Sequence, residues 1–176
     1  LDQDLFIVTQ YLDKVNHSLS IMTNKPGTPW SKKSCNYWVS EAVLMSSAAP
    51  TFFPAYKNHI DGGLSFNDPT AFGIIILTKL GIEPEVLSIQ LETNITDFKM
   101  PDNAGLINWI APIVEITMNN DTRRTELFEN FYQEKTGKKV MRLNPLDGLP
   151  SISMDNLKTI PTLIEAGKNY GDKNKI

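Results

Sequence analysis

The chain is 176 residues long, carries a net charge of -3, and is 41% hydrophobic and 21% charged. This is the composition of a soluble globular domain with a core of its own, and it excludes a nucleic-acid binder working through a basic surface. No apolar run approaches the roughly 20 residues of a membrane-spanning helix, and the single cysteine, Cys35, forbids an internal disulfide, as suits a reducing compartment.

The basic pairs Lys32-Lys33, Arg123-Arg124 and Lys138-Lys139 read as solvated surface. Leu1 is no initiator methionine, and Leu1-Asp2-Gln3-Asp4 has none of the features of a signal peptide. Without an initiator methionine, and opening directly on what reads as a strand, the chain is expected to begin inside a longer domain, which leaves the missing signal uninformative.

Leu5-Phe6-Ile7-Val8, continued by Thr9-Gln10-Tyr11, predicts a buried strand. Asp13 to Asn16 predicts a turn, and the alternation from His17 to Thr23 predicts a second strand. Asn24 to Pro29 reads as a loop. Ser34 to Ala49 predicts a helix with Trp38, Ala42, Met45 and Ala49 on one face, ended by Pro50. Thr51-Phe52-Phe53-Pro54 is expected to pack as an irregular buried segment. Asn67 or Asp68 can cap the next helix, with Pro69 in its first turn, where a missing N–H costs nothing. That helix, Ala71 to Leu80, is apolar nearly all round and should be buried, with Gly81 closing it.

Glu85 to Leu91 alternates as a strand. Thr96 to Gly105 reads as a loop, Leu106 to Met118 as a helix interrupted by Pro112, and Thr122 to Lys135 as a further helix with Leu127, Phe128, Phe131 and Tyr132 as its apolar stripe. Lys139 to Leu143 suits a short strand. Asn144 to Pro150 is a turn-rich connection. Ser153 to Tyr170 is expected to be a helix kinked by Pro161, followed by a frayed tail, 171–176. Strand, buried helix and strand in this order predict an α/β domain spanning residues 1–176.

The two histidines, His17 and His59, have no neighbours at metal-ligand spacing and read as ordinary strand-end residues. The informative stretch runs from Ser46 to Thr70. Asp61 precedes Gly62 and Gly63, and two glycines open backbone angles closed to other residues and let a turn lie tightly against a neighbour. A carboxylate on such a turn can orient and deprotonate a serine hydroxyl. Taken alone, an Asp-Gly turn in which Asp bonds its own backbone explains the residues better.

The surrounding blocks change that balance. Ser47-Ala48-Ala49-Pro50, Phe52-Phe53-Pro54, Asp61-Gly62-Gly63 and Asn67-Asp68-Pro69 occur in one register. Together they resemble the second signature block of the patatin-like phospholipases, which reads Ser-Ala-Ala-Pro-x-Tyr/Phe-Phe-Pro, Asp-Gly-Gly/Ala, then Asn-Asn-Pro. Two departures are Asp68 for the family's second Asn, and Leu91-Glu92-Thr93 where relatives often end a strand Gly-Thr-Gly.

The resemblance implies an α/β patatin-like sheet flanked by helices, of which this is the C-terminal part. It implies that Asp61 is the catalytic base of a Ser–Asp dyad, that Gly62 and Gly63 form its turn, and that Pro50, Asn67 and Pro69 support it. The serine and the oxyanion hole would lie upstream, in glycine-rich blocks missing from these residues; Gly63-Leu64-Ser65-Phe66-Asn67 lacks the second glycine of Gly-x-Ser-x-Gly, and Ser65 reads as a loop hydroxyl. The implied activity is hydrolysis of acyl esters of phospholipids or related lipids, with no metal and no cofactor. The implied partners are a lipid surface, contacted peripherally, and the N-terminal remainder of the domain. The implied location is cytoplasmic or peripheral to a membrane. Phe52, Phe53 and Trp109 would contribute to lipid contact if exposed, although core packing is the expectation for each. The rival readings are a non-catalytic binding or regulatory module derived from the same domain, and an unrelated α/β domain with an ordinary Asp-Gly turn.

Overall fold

The computed structural model describes residues 3–13, 18–29, 37–91, 105–150, 152 and 156–174. The expected turn at 14–16, His17, the helix start at 34–36 with Cys35, the pair Lys32-Lys33, most of the 96–105 loop, Glu92-Thr93 and the helix start at 153–155 lie outside them.

The described chain is a mixed α/β structure with two small sheets. In the first, β1 (Phe6–Tyr11) lies at the centre, antiparallel to β2 (Ser18–Thr23) along its whole length and to β3 (His59–Asp61) over Thr9–Tyr11. The apolar run of β1 and the alternation of β2 suit a sheet whose inner positions, Val8, Thr9, Ile21 and Met22, are buried. Helix α1 (Val39–Ser46) lies on this sheet, where Ala42 and Met45 pack with Met22, Ile7, Tyr37 and Tyr56.

A tight turn leads into β3. Lys57 and Asn58 both take left-handed angles, and Tyr56 and His59 exchange backbone hydrogen bonds of 2.9 Å around them. Two consecutive left-handed residues match the right-handed twist of the flanking strands, as in a type I′ hairpin.

After Asp61 the chain enters the single turn α2 (Gly63–Phe66) and then α3 (Thr70–Lys79). Pro69 stands at the N-cap of α3, one position before the helical residue expected of it, and Asp68, just ahead of it, accepts the Thr70 N–H on Oδ1 at 3.1 Å. Gly81, at φ +78°, takes the left-handed position after the helix, and Ile82 N–H reaches back to Leu77 O at 2.9 Å. The second sheet pairs β4 (Val86–Ile89) in parallel with β5 (Val140–Leu143). Parallel neighbours need a long crossover, and α4 (Leu106–Thr136) supplies it. A short 3-10 turn, Leu157–Thr159, precedes α5 (Ile160–Asn174).

Several expectations are corrected. The two helices expected over 106–135 form one: Pro112 lies inside it and removes one helical N–H, that to the Asn108 carbonyl, without ending it, and Asn119-Asn120-Asp121 continue the helix. Its buried face holds Thr122, Thr125, Glu129 and Tyr132, whereas Leu127 and Phe131 are exposed. Pro161 produces no interruption, because it sits in the first turn of α5, where the N–H it lacks would have no helical partner. That helix runs through Asn174, past the limit expected at Tyr170. In α3 only Ile74 and Ile76 are fully buried, and Ile75 faces out. Thr51-Phe52-Phe53-Pro54 is exposed rather than packed. Trp38 is also exposed, at the N-terminal boundary of α1 rather than on its buried face, and Trp109 is exposed.

Candidate active site

The end of α1 explains how Asp61 is placed. The sequence predicts that the helix runs to Ala49, but it stops at Ser46. A helical carbonyl bonds the N–H four residues on; for Ser46 that residue is Pro50, which has no N–H. The Ser46 carbonyl turns instead to the Gly62 N–H, at 3.3 Å, and the Ala48 carbonyl accepts the Asp61 N–H at 3.0 Å. Pro50 therefore acts four residues upstream of its own position. It also opens a turn in which Phe52 N–H returns to Ala49 O at 3.2 Å. Thr51 sits in that turn at φ +76°, a strained angle for a β-branched residue.

Gly62 is not there for its backbone angles. It adopts an ordinary right-handed helical conformation, φ -67° and ψ -21°, and Gly63 is not among the positive-φ glycines either. What Gly62 provides is proximity: a Cβ at this position would lie 2.2 Å from the Val8 carbonyl oxygen and 3.1 Å from Val8 Cγ1. The same Val8 oxygen accepts a hydrogen bond from the Ser46 hydroxyl at 2.7 Å. β1, the end of α1 and the Asp61 turn thus meet at one carbonyl.

Asp61 is the last residue of β3, paired with the fully buried Thr9. Its side chain is half-buried, and Oδ1 accepts the Gly63 N–H at 2.7 Å. No hydrogen bond reaches Oδ2 from any described residue. Burial pushes the Asp61 carboxyl above the usual carboxylate range, and the Gly63 N–H opposes this in part. The arrangement is a carboxylate with one oxygen fixed and the other open, in surroundings that raise its basicity.

The neighbouring groups are otherwise engaged. Ser65 lies in the single turn α2 rather than in the expected loop, and it donates its hydroxyl to the Gln10 side-chain carbonyl, a structural contact. His59 is buried against Tyr11 and Tyr37, with ring centroids 4.9 Å and 6.4 Å away, and its Nδ1–H donates to the Lys57 carbonyl at 2.9 Å. Burial lowers its pKa, so it is a neutral core residue. Among the described residues no cluster of His, Cys, Asp and Glu is arranged to hold a metal.

Asn67 and Pro69 flank the most connected side chain in the region, Asp68. Its Oδ2 accepts from Gln90 Nε2 and Arg142 Nη2, each at 2.7 Å, and its own N–H donates to Asp121 Oδ2 at 2.9 Å. Arg142 also grips the buried Glu129 with a two-pronged contact, Nε–Oε2 at 2.5 Å and Nη2–Oε1 at 2.9 Å. The sequence pattern missed Gln90, Glu129 and Arg142, because nothing in local spacing shows that they converge on Asp68. A carboxylate at position 68, where an amide would also serve the turn, is the one local signal that a cation is needed nearby.

A cavity of 630 Å³ opens between Phe6 and Val8 of β1, Phe72 and Ile76 of α3, and Leu87 and Ile89 of β4. Asn67 and Asp68 border it, and Val8 is shared between its wall and the Asp61 turn. No protein-family model matches the chain, and no curated protein matches it.

Proposed function

We propose that Asp61 is the general base of a serine–aspartate dyad in a patatin-like lipid acyl hydrolase. These residues form the C-terminal part of its domain, and the nucleophilic serine lies upstream of them. The observation that carries the reading is the half-tethered carboxylate: Oδ1 is fixed by Gly63 N–H, Oδ2 is open, and burial raises the pKa. The ordered blocks from Ser47 to Pro69 supply the chemical class.

In this reading Oδ2 takes the serine hydroxyl proton as the serine oxygen attacks the ester carbonyl. The tetrahedral intermediate collapses, the alcohol leaves with that proton, and an acyl-enzyme remains. Asp61 then deprotonates a water, which releases the fatty acid and restores the serine. Exposed Phe52, Phe53 and Trp109 suit a peripheral contact with the lipid surface, and no described helix is long and apolar enough to cross a membrane.

The test is ester hydrolysis by the protein carrying both this chain and the segment upstream. Asp61→Asn is expected to lower kcat by at least about a thousandfold with the fold intact. Retained activity in the folded variant would remove the dyad. A non-catalytic module is the second reading. It is favoured by the lack of any Gly-x-Ser-x-Gly in these 176 residues and by the Asp61–Gly63 bond, which an ordinary Asp-Gly turn also makes. Failure to find that motif in the adjoining reading frame would support it.

A further inference from the structure

Resting on that reading, we infer that Ser46 is a positioning residue for Asp61, acting as a two-point latch between the end of α1, the β1 strand and the Asp61-Gly62 turn. Its carbonyl, deprived of a helical partner by Pro50, holds the Gly62 N–H at 3.3 Å. Its hydroxyl donates to the Val8 carbonyl oxygen at 2.7 Å. Gly62 meets that same oxygen so closely that a Cβ there would stand 2.2 Å from it.

The three contacts have different consequences. The two backbone bonds, from Ser46 and Ala48 to the amides of Gly62 and Asp61, fix the height of the turn along β3. They would survive any side chain at position 46. The hydroxyl bond fixes the lateral approach of α1 to β1, and with it the depth at which Gly62 sits against Val8. Without the hydroxyl, the buried Val8 carbonyl loses a donor and α1 can shift outward, carrying the Ser46 carbonyl and the Gly62 amide with it. Asp61 is the adjoining residue. Its Oδ2 would then move relative to the serine proton, and its carboxyl would gain access to water.

Ser46 touches neither substrate nor the reacting atoms in this scheme, so its effect must appear through Asp61. In the protein that carries the nucleophile, Ser46→Ala is expected to lower kcat about ten- to a hundredfold, the cost of a misplacement near 1 Å, with KM unchanged. The acid limb of the pH profile should move to lower pH, because better hydration of Asp61 lowers its pKa. Ser46→Thr, which restores a hydroxyl, should recover most of the rate and return the limb. A residue that served folding alone would lower the melting temperature while leaving kcat and the acid limb in place well below it.

Wild-type kcat and an unmoved acid limb in Ser46→Ala, beside an inactive Asp61→Asn, would overturn the latch and leave the dyad standing. Activity retained in Asp61→Asn would overturn both. If Ser46→Ala does not fold, Ser46→Thr decides the matter together with Ser46→Cys, whose longer, weaker donor should give a rate between those of Thr and a hydroxyl-free site; a Cys variant as fast as wild type would count against the latch.

Discussion

At the scale of single residues, Asp61 carries two demands that oppose each other. Burial favours its protonated form in the folded state, so its folded pKa stands above its unfolded value of about 3.9. Between those two values the folded protein binds more protons than the unfolded chain. Stability therefore falls as pH rises through that window and remains lower at neutral pH. Asn in its place accepts the same Gly63 N–H without a charge to bury. Asp61→Asn is thus expected to be more stable than wild type at pH 7, with the difference fading below about pH 3, where both side chains are neutral. Denaturant midpoints at the two pH values measure this directly. A less stable variant at pH 7 would show that the folded protein favours the anion, as a purely structural Asp-Gly turn would. A gain in stability with a loss of activity is the trade expected of a group kept for chemistry.

At the scale of elements, the Asp68–Arg142–Glu129 set binds the start of α3 to β5 and α4. Both carboxylates are almost wholly buried and share one guanidinium. Arg142→Met would leave two buried carboxylates without a cation and is expected to cost about 3–5 kcal/mol, read from the urea midpoint. Adding Glu129→Gln to that variant should recover part of the loss, because one of the two stranded charges is then gone. A cost below about 1 kcal/mol for Arg142→Met would mean that the pair is hydrated and weak. This network also shows where sequence reading stops. Strands β1, β2, β4 and β5, the turn residues ahead of α3, the Gly81 helix end and the Asp61 turn follow from local patterns of a few residues, whereas the three-residue β3 does not. Arg142 is an unremarkable strand cation until β5 is laid beside β4, a pairing that depends on the α4 crossover. Gly62 misled for a related reason: local rules attribute glycine to backbone angles, whereas here it is the passing Val8 carbonyl that excludes a side chain. Pro50 was legible as a helix stop, but the stop falls four residues earlier, at the carbonyl it leaves unpaired.

At the scale of the whole molecule, the described residues show apolar surface on elements that should be interior. β4 buries Ser88 and exposes Leu87 and Ile89, at 55% and 62%, the reverse of a strand with water on its polar face. Met141, its neighbour on β5, and Leu91 just beyond β4 are exposed as well. The cavity between β1, α3 and β4 is walled by the same strand. A monomer that left this surface to water would lose hydrophobic stabilisation of roughly 25 cal/mol for each Å² uncovered, and contiguous patches of this kind drive association. Under the proposed function, the segment bearing the serine is the natural cover, since it must also approach Asp61 to complete the dyad. The 176-residue chain alone is accordingly expected to bind the dye ANS strongly and to self-associate at micromolar concentration. Supplying the upstream segment, in the same chain or as a co-expressed partner, should suppress both. Leu87→Lys and Ile89→Lys separate the two explanations. If the face is meant for water, these changes leave hydrolysis untouched and improve solubility; if it receives the nucleophile segment, they abolish hydrolysis although neither residue is near Asp61 in sequence. Weak ANS binding by the isolated chain would indicate a surface already covered, and with it a nucleophile that must reach Asp61 from another side.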